Sequence, residues 1–406
     1  MKRREVLTGL VTAVVGSATL ELGPAHAQAG AAAAPCLAAT GSLGVIIERA
    51  SGSVLTVDWD RRMVVGRIEG LGDLSHASAV FSRDERFAYI FGRDGGLSKI
   101  DILAGRIANR VIQAGNAIGG AISGDGKLVA VSNYQPGGVR VFDAETLAPV
   151  CDIPAEVGNG VRSKTVGLVD APGQRFVYTL YDAGQIWIAD FSGWSGGQPR
   201  VTRHANIGKL PYDASITGDG RYYIAGLFGE DGLVLLDLWD KPATPRRIVD
   251  GYGRGEAPLP VFKMPHLEGW GEVAGRLLLP AVGRHELLAI DGMTFAECGR
   301  VATHGQPIFA VVQPGSPHVW VNFAHPLNDT VQVIDARTMQ VVHTFKPGPA
   351  VLHLEFTPRG NEVWISVRDS DRIDIHDTQS FERIASIPAR KPSGIFFTAR
   401  AHRIGQ

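Results

Sequence analysis

Cysteine is nearly absent. Cys36, Cys151 and Cys298 are the whole complement of a 406-residue chain, too few for a disulfide framework, and no two of them form a C-x-x-C pair. Without a C-x-x-C-H sequence the chain carries no covalently attached c-type haem. It also lacks a dinucleotide-binding fingerprint and a redox cysteine pair, so any oxidation it performs needs an external electron acceptor. Charge of one sign is missing as well, with 40 basic residues against 41 acidic ones. That balance removes any global pull toward nucleic acid or an anionic membrane, and a basic site has to be local. Long apolar runs are lacking too: Val6–Ala18 falls short of the about 20 residues a bilayer requires, and no later run approaches that length.

This apolar run lies in what reads as an export signal over residues 1–27. Lys2-Arg3-Arg4-Glu5-Val6-Leu7 supplies the charged start, and Ala25-His26-Ala27 the small-residue cleavage pattern. Arg3-Arg4 followed by Val6-Leu7 resembles a twin-arginine signal, which exports folded proteins; an ordinary secretory signal is the alternative. The mature chain is then expected to begin near Gln28, with a flexible segment over residues 28–42 and a location in the bacterial periplasm. Pro35 directly before Cys36 and Ala33 three before it do not make the usual lipidation context, which leaves Cys36 a free cysteine.

What the chain has in quantity is turn formers, 50 glycines and 23 prolines, the mark of many short strands joined by turns. One phrase recurs, an apolar strand ending in aspartate. It appears as SVLTVD at Asp58, LSKID at Asp101, VRVFD at Asp143, IWIAD at Asp190, LVLLD at Asp237, LLAID at Asp291, VQVID at Asp335 and RIDIHD at Asp377. Eight copies at intervals of roughly 42 to 54 residues match four-stranded propeller blades. Hairpins such as AISGDGKLVAVS precede them. Leu43–Glu69 supplies three strands without an innermost one, and PSGIFFTA, Pro392–Ala399, is one strand without followers. The expected fold is therefore an all-β, eight-bladed β-propeller over residues 43–406, closed by pairing of the C-terminal strand with the N-terminal blade, which removes exposed edges.

In such a ring, the residues just before each innermost strand and the loop between the second and third strands share one face around the channel. Read in order, they are Arg49; His76, Arg93 and Asp94; Asn133 and Tyr134; Arg162 and Lys164; Tyr212; His266 and His285; Gln306 and His325; His353 and Arg368; Lys391 and Ser393. This set is richer in imidazole and basic groups than a near-neutral chain implies. It suits a flat, anionic, metal-bearing ligand, because imidazole nitrogen binds iron and guanidinium or ammonium groups pair with carboxylates. Propeller loops are polar in any case, so the ring alone does not establish a ligand.

Several segments carry a family resemblance. SHASAVFSRDERFAYIFGRDGGLSKID, Ser75–Asp101, resembles the first blade of the haem d1 domain of cytochrome cd1 nitrite reductase, where a histidine before the strand ligates the d1 iron and GRDG follows. SNYQPGGVRVFDAETLAP, LPYDASITGDGRYYIAG, PRGNEVWISV and PSGIFFTARAHRIG continue in the same order. With no c-haem domain attached, the whole is similar to the haem d1 biosynthesis proteins of that family. The resemblance covers about Leu43–Gln406 and implies His76 as the metal ligand. The implied cofactor is non-covalent, iron-bearing haem d1 or its dihydro-haem d1 precursor. The implied partners are cytochrome cd1 nitrite reductase and other d1-maturation proteins, with a homodimer left open. Where the reductase has catalytic distal histidines, Tyr212 and Gln313 stand here, and neither donates a proton as an imidazolium does near neutral pH. The chain is therefore not expected to reduce nitrite itself.

Arg49, Arg162, Lys164, Lys391 and Arg400 pair either with ligand carboxylates or with neighbouring acids; a similar arginine in the reductase lies near the cofactor, which favours Arg162. Tyr134 and Tyr212 stand on the same face, and Tyr212 is either a pocket wall or a half-buried propeller aromatic. His266, in MPHLEGW, is the leading candidate for a distal acid/base group, with Tyr212 beside it as a catalytic candidate. His353 alternates with Leu352 and Leu354, which equally suits a core histidine. Two functions remain open: binding of haem d1 or its precursor during cofactor maturation for denitrification, or an enzyme of a late step such as side-chain dehydrogenation of the macrocycle.

Overall fold

The structure, a computed structural model, describes residues 39–158, 160–250, 270–281 and 283–405. The export signal, Cys36 and His266 lie outside the described residues. Eight four-stranded antiparallel sheets follow one another around a central channel. In blades II to VIII the strands run in sequence order from the innermost outward. The innermost strands are Ser78–Phe81, Asn116–Ile122, Thr165–Ala171, Pro211–Ile216, Gly271–Val273, Pro307–Val312 and Val351–Phe356. In each blade the recurrent aspartate phrase is the third strand, for example Gly96–Asp101 and Arg372–Asp377.

Blade I closes the ring as expected. Pro392–Phe397 takes its innermost place beside Leu43–Glu48, with Gly44 opposite Phe397, Val45 opposite Phe396 and Ile46 opposite Ile395. Gly44 is required there, because a Cβ would meet the Phe397 ring and the Phe396 carbonyl. The buried carboxylate of Glu48 clips this junction: it accepts from Arg67 Nε at 2.7 Å, from Ser53 Oγ at 2.7 Å and from the Arg390 backbone N–H at 2.7 Å.

The core consists of apolar clusters between neighbouring blades. One joins Trp364, Ile373 and Ile375 of blade VIII to Leu55, Ile395 and Phe397 of blade I. Trp187, Trp320 and Trp364 are fully buried, and burying a large apolar side chain contributes roughly 1.5–3 kcal/mol. The strand faces that fill these clusters leave the loops between blades to line the channel mouth.

Candidate functional site

Near the loop face the innermost strands depart from regular pairing. In blade VIII, Val351 pairs with Val367 and Leu354 with Ile365, so Leu352 and His353 together face the single residue Ser366. Blade VII repeats this with Ile308 and Phe309 against Asn322, and blade V with Tyr212 and Asp213 against Gly226. Gly167 and Leu168 of blade IV, Ile118 of blade III, and Ser393 and Gly394 of blade I sit in equivalent irregularities. A bulge turns a strand so that consecutive side chains are re-aimed. These bulge residues all line one cavity of about 620 Å³.

Breaking the ladder leaves backbone groups that must find partners. Polar side chains from the second strands supply them. Asn322 accepts from the Phe309 N–H at 3.1 Å and donates to the Val351 carbonyl at 3.1 Å, tying two blades together. The Ser366 hydroxyl accepts from the His353 N–H at 2.8 Å. The Thr179 hydroxyl donates toward the carbonyls of Val166 and Tyr212, and that of Ser132 toward Gly119. All four side chains are buried. Their burial is explained by the bulges they hold.

The cavity wall includes three imidazoles, two guanidiniums and several aromatic rings. His76 and His325 are exposed at its mouth, whereas His353 is buried deep in it. The His353 ring lies edge-on to Phe309 with centroids 5.5 Å apart and beside Phe396 at 5.4 Å. The Ile395 N–H donates to His353 Nδ1 at 3.3 Å, which leaves any ring proton on Nε2. Half-buried Arg49 makes no hydrogen bond or ion pair among the described residues. Burial first, and then the like charge of Arg368, pull its pKa below the ordinary guanidinium value, with Asp73 opposing. Arg368 also lines the cavity and holds Asp369 at 2.9 Å.

Tyr212 forms another part of the wall, its hydroxyl 2.6 Å from that of Tyr134. Burial and the adjacent Asp213 hold Tyr212 far above the usual phenol value. Burial also raises Tyr134, the bond from Tyr212 opposing it, and the Arg93 guanidinium lies 5.2 Å from the Tyr134 ring centroid. Both tyrosines are therefore neutral hydroxyls at any physiological pH.

Four predicted ligand residues are placed in ion pairs outside the cavity lining. Arg162 meets Asp152 at 3.2 Å and Glu156 at 3.6 Å, Lys164 meets Asp182 at 3.1 Å, and Lys391 meets Asp371 at 3.6 Å. Arg400 lies at the opposite end of the channel, paired with Glu355. Gln313 is not on the loop face either: it donates to the Gly360 carbonyl and accepts from the Trp320 indole. Asp213, Phe309, Asn322 and Asn328 line the cavity without having been singled out. Asn322 had a sequence signal, an amide interrupting the apolar strand His318–Phe323; bulge positions had none.

A loop-faced cavity carrying imidazoles, guanidiniums and aromatic rings on a closed propeller has the make-up of a cofactor-binding β-propeller. Residues 38–401 match the family model of the Cytochrome D1 heme domain, and the chain belongs to that family. It is 56% identical over 379 residues to Protein NirF of Pseudomonas aeruginosa, covering 93% of this chain and 96% of that protein. It is 53% identical over 371 residues to Protein NirF of Stutzerimonas stutzeri, covering 91% and 94%. Among solved structures it is similar to dihydro-heme d1 dehydrogenase NirN in complex with DHE, at a TM-score of 0.79 and 27% identity, covering 91% of this chain and 78% of that one.

The residues present fit a d1-type haem. The cavity volume is within the roughly 300–1,000 Å³ of small-molecule and cofactor sites. No cluster of three or more His, Cys, Asp or Glu that could hold a metal is found among the described residues. A haem iron is carried by its own macrocycle and needs from the protein an axial ligand, for which the lining offers the imidazoles of His76, His325 and His353.

Proposed function

We propose that this protein binds haem d1 or its dihydro-haem d1 precursor, non-covalently, during maturation of the cofactor of cytochrome cd1 nitrite reductase. The observation that carries the reading is the bulge-built cavity, in which Arg49, without a hydrogen bond or ion pair among the described residues, and Arg368 line a space bordered by His76. Two like charges brought together beside a cavity favour an anionic ligand that neutralises both. In this role Arg49 and Arg368 hold macrocycle carboxylates, Phe309, Phe396 and Tyr212 border the ring, and His76 presents an imidazole nitrogen to iron. When bound, the macrocycle supplies the iron and the conjugated ring. The protein supplies position, two guanidinium groups and an aromatic wall. Export to the periplasm by a twin-arginine-type signal, and hand-over to cytochrome cd1 nitrite reductase or another d1-maturation protein, complete the proposal.

A second reading, an enzyme of a late step on the same macrocycle, is supported by the likeness to a dihydro-heme d1 dehydrogenase and by the Tyr212 hydroxyl on the cavity wall. It needs an external electron acceptor.

The test is an absorption titration of the purified protein with haem d1, alongside His76→Ala. Binding with an altered spectrum in the variant is expected. An identical spectrum in the two proteins removes His76 as the ligand, and no binding by the parent removes the proposal. Mass analysis after incubation with the dihydro precursor separates carrier from enzyme.

A further inference from the structure

Beyond the last strand of blade I the chain does not leave the ring. It continues through a short 3-10 helix, Thr398–His402, and on to Gly405 across the end of the channel opposite the loop face. Its anchors come from blades around the circle. The Thr398 hydroxyl donates to the Leu43 carbonyl of blade I at 3.1 Å. Arg83 of blade II donates to the Ala401 carbonyl and to Ser123 of blade III. Arg400 donates to Glu355 of blade VIII through Nε at 2.8 Å and Nη2 at 2.5 Å. The Gly405 N–H donates to Asp170 of blade IV at 2.8 Å.

The segment lies flush against what it crosses. Gly405, at φ +82°, packs so tightly on Ile216 of blade V that a Cβ would overlap it, and Ile404 joins the apolar cluster of Ile216 and Val169. Ala401 joins the cluster that holds Ala79. Gly405 is also part of the wall of the main cavity. Arg400 and Arg403 line a separate cavity of about 320 Å³ on the far side, with Ser215, Thr217 and Glu355. One stretch of chain thus borders two cavities and stands between them.

We infer that Thr398–Gly405 is the floor of the ligand cavity, sealing one end of the channel so that the ligand, and any protein that delivers or receives it, exchanges through the loop face alone. A channel open at both ends would let water and small solutes reach the ligand from beneath and would offer two docking faces. With a floor there is one mouth, and donor and acceptor proteins must use it in turn. Arg400 is on this view a positioning residue: its buried pair with Glu355 holds the floor, and it does not touch the ligand. The role of the mouth in exchange rests on the proposed function, whereas the seal does not.

A cysteine placed just above the floor reports the seal. Ala79→Cys, in a protein with Cys36, Cys151 and Cys298 changed to serine, is reacted with iodoacetamide and followed by intact mass, with and without haem d1. The floor is opened by the double change Arg400→Ala with Glu355→Ala, which leaves no single buried charge, or by removing residues 403–406; circular dichroism selects variants that keep the fold. Without ligand, labelling is expected to rise about tenfold when the floor is opened, because a second route reaches a site otherwise reached only by the mouth. With ligand, the parent is protected and the opened variants are not. Equal rates for parent and opened variants in both states overturn the inference. The absorption titration reports separately whether haem d1 binds, so its failure leaves the ligand-free comparison decisive.

Discussion

At the scale of single residues, the proposed role turns on which cavity cations already have partners within the protein. Arg49 is the sharpest case, half-buried, beside Arg368 and without a hydrogen bond among the described residues. Arg49→Ala is expected to weaken haem d1 binding about ten- to a hundredfold in an absorption titration, the worth of one charge-assisted hydrogen bond of roughly 1.5–3 kcal/mol. The apo protein should lose no stability, since a like-charge contact disappears. A variant that binds as the parent does would show that no carboxylate reaches this position. Arg162, Lys164 and Lys391 stood beside Arg49 as equivalent cations in the sequence, and the acids that occupy them, Asp152, Asp182 and Asp371, come from elsewhere in the chain. Residue type alone could not tell a waiting guanidinium from a satisfied one.

At the scale of the strand, regular features were readable and irregular ones were not. The aspartate phrase marks the third strand of each blade because a four-stranded unit repeats its turn chemistry, and the unmatched ends of the sequence point to the closure of blade I. Bulges leave no such mark, since inserting one residue into a strand of alternating apolar side chains still reads as a strand. That is why Phe309 and Asp213 were missed, whereas Gln313, just past the strand Pro307–Val312 that holds Phe309, turns to Gly360 and Trp320. Because Asn322 satisfies both the Phe309 N–H and the Val351 carbonyl, Asn322→Leu is expected to destabilise the protein by about 2–4 kcal/mol in urea unfolding, two buried backbone groups losing their partners. It should weaken ligand binding as well, through displacement of Phe309 and His353. A loss below about 0.5 kcal/mol would mean that the bulge stands without its pin.

The junction of blade I is an element-scale feature with a pH signature. Burial works to raise the Glu48 pKa, but hydrogen bonds from Arg67, the Arg390 N–H and Ser53 outweigh it and the carboxyl stays below its usual 4.5. A carboxyl that holds its proton more weakly in the folded chain contributes stability that is fully present above the unfolded value and is lost as pH falls through the folded one. The melting temperature is therefore expected to drop as the pH is lowered below about 4.5, and Glu48→Gln should cost about 1–3 kcal/mol at neutral pH and flatten part of that drop. An unchanged acid limb in the variant would place the dependence on other carboxylates.

At the scale of the whole molecule, the cavity belongs to the ring and to no single blade. Its wall takes Arg49 and Ser393 from blade I, His76 from II, Ser132 from III, Gly167 from IV, Tyr212 from V, Phe309 from VII and His353 from VIII. A ligand held by seven blades binds the closed ring and not the unfolded chain, so its binding energy adds to global stability. At a free concentration of a hundred times Kd that linkage amounts to about 2.7 kcal/mol, and haem d1 is expected to raise the calorimetric melting temperature by a few degrees while slowing amide exchange in blades distant in sequence together. His76→Ala should reduce both effects in proportion to its loss of affinity. Protection confined to blade II would instead mean that the macrocycle hangs from His76 at the surface, because a ligand seated in the channel has to restrain blades I and VIII as strongly as the blade that ligates it.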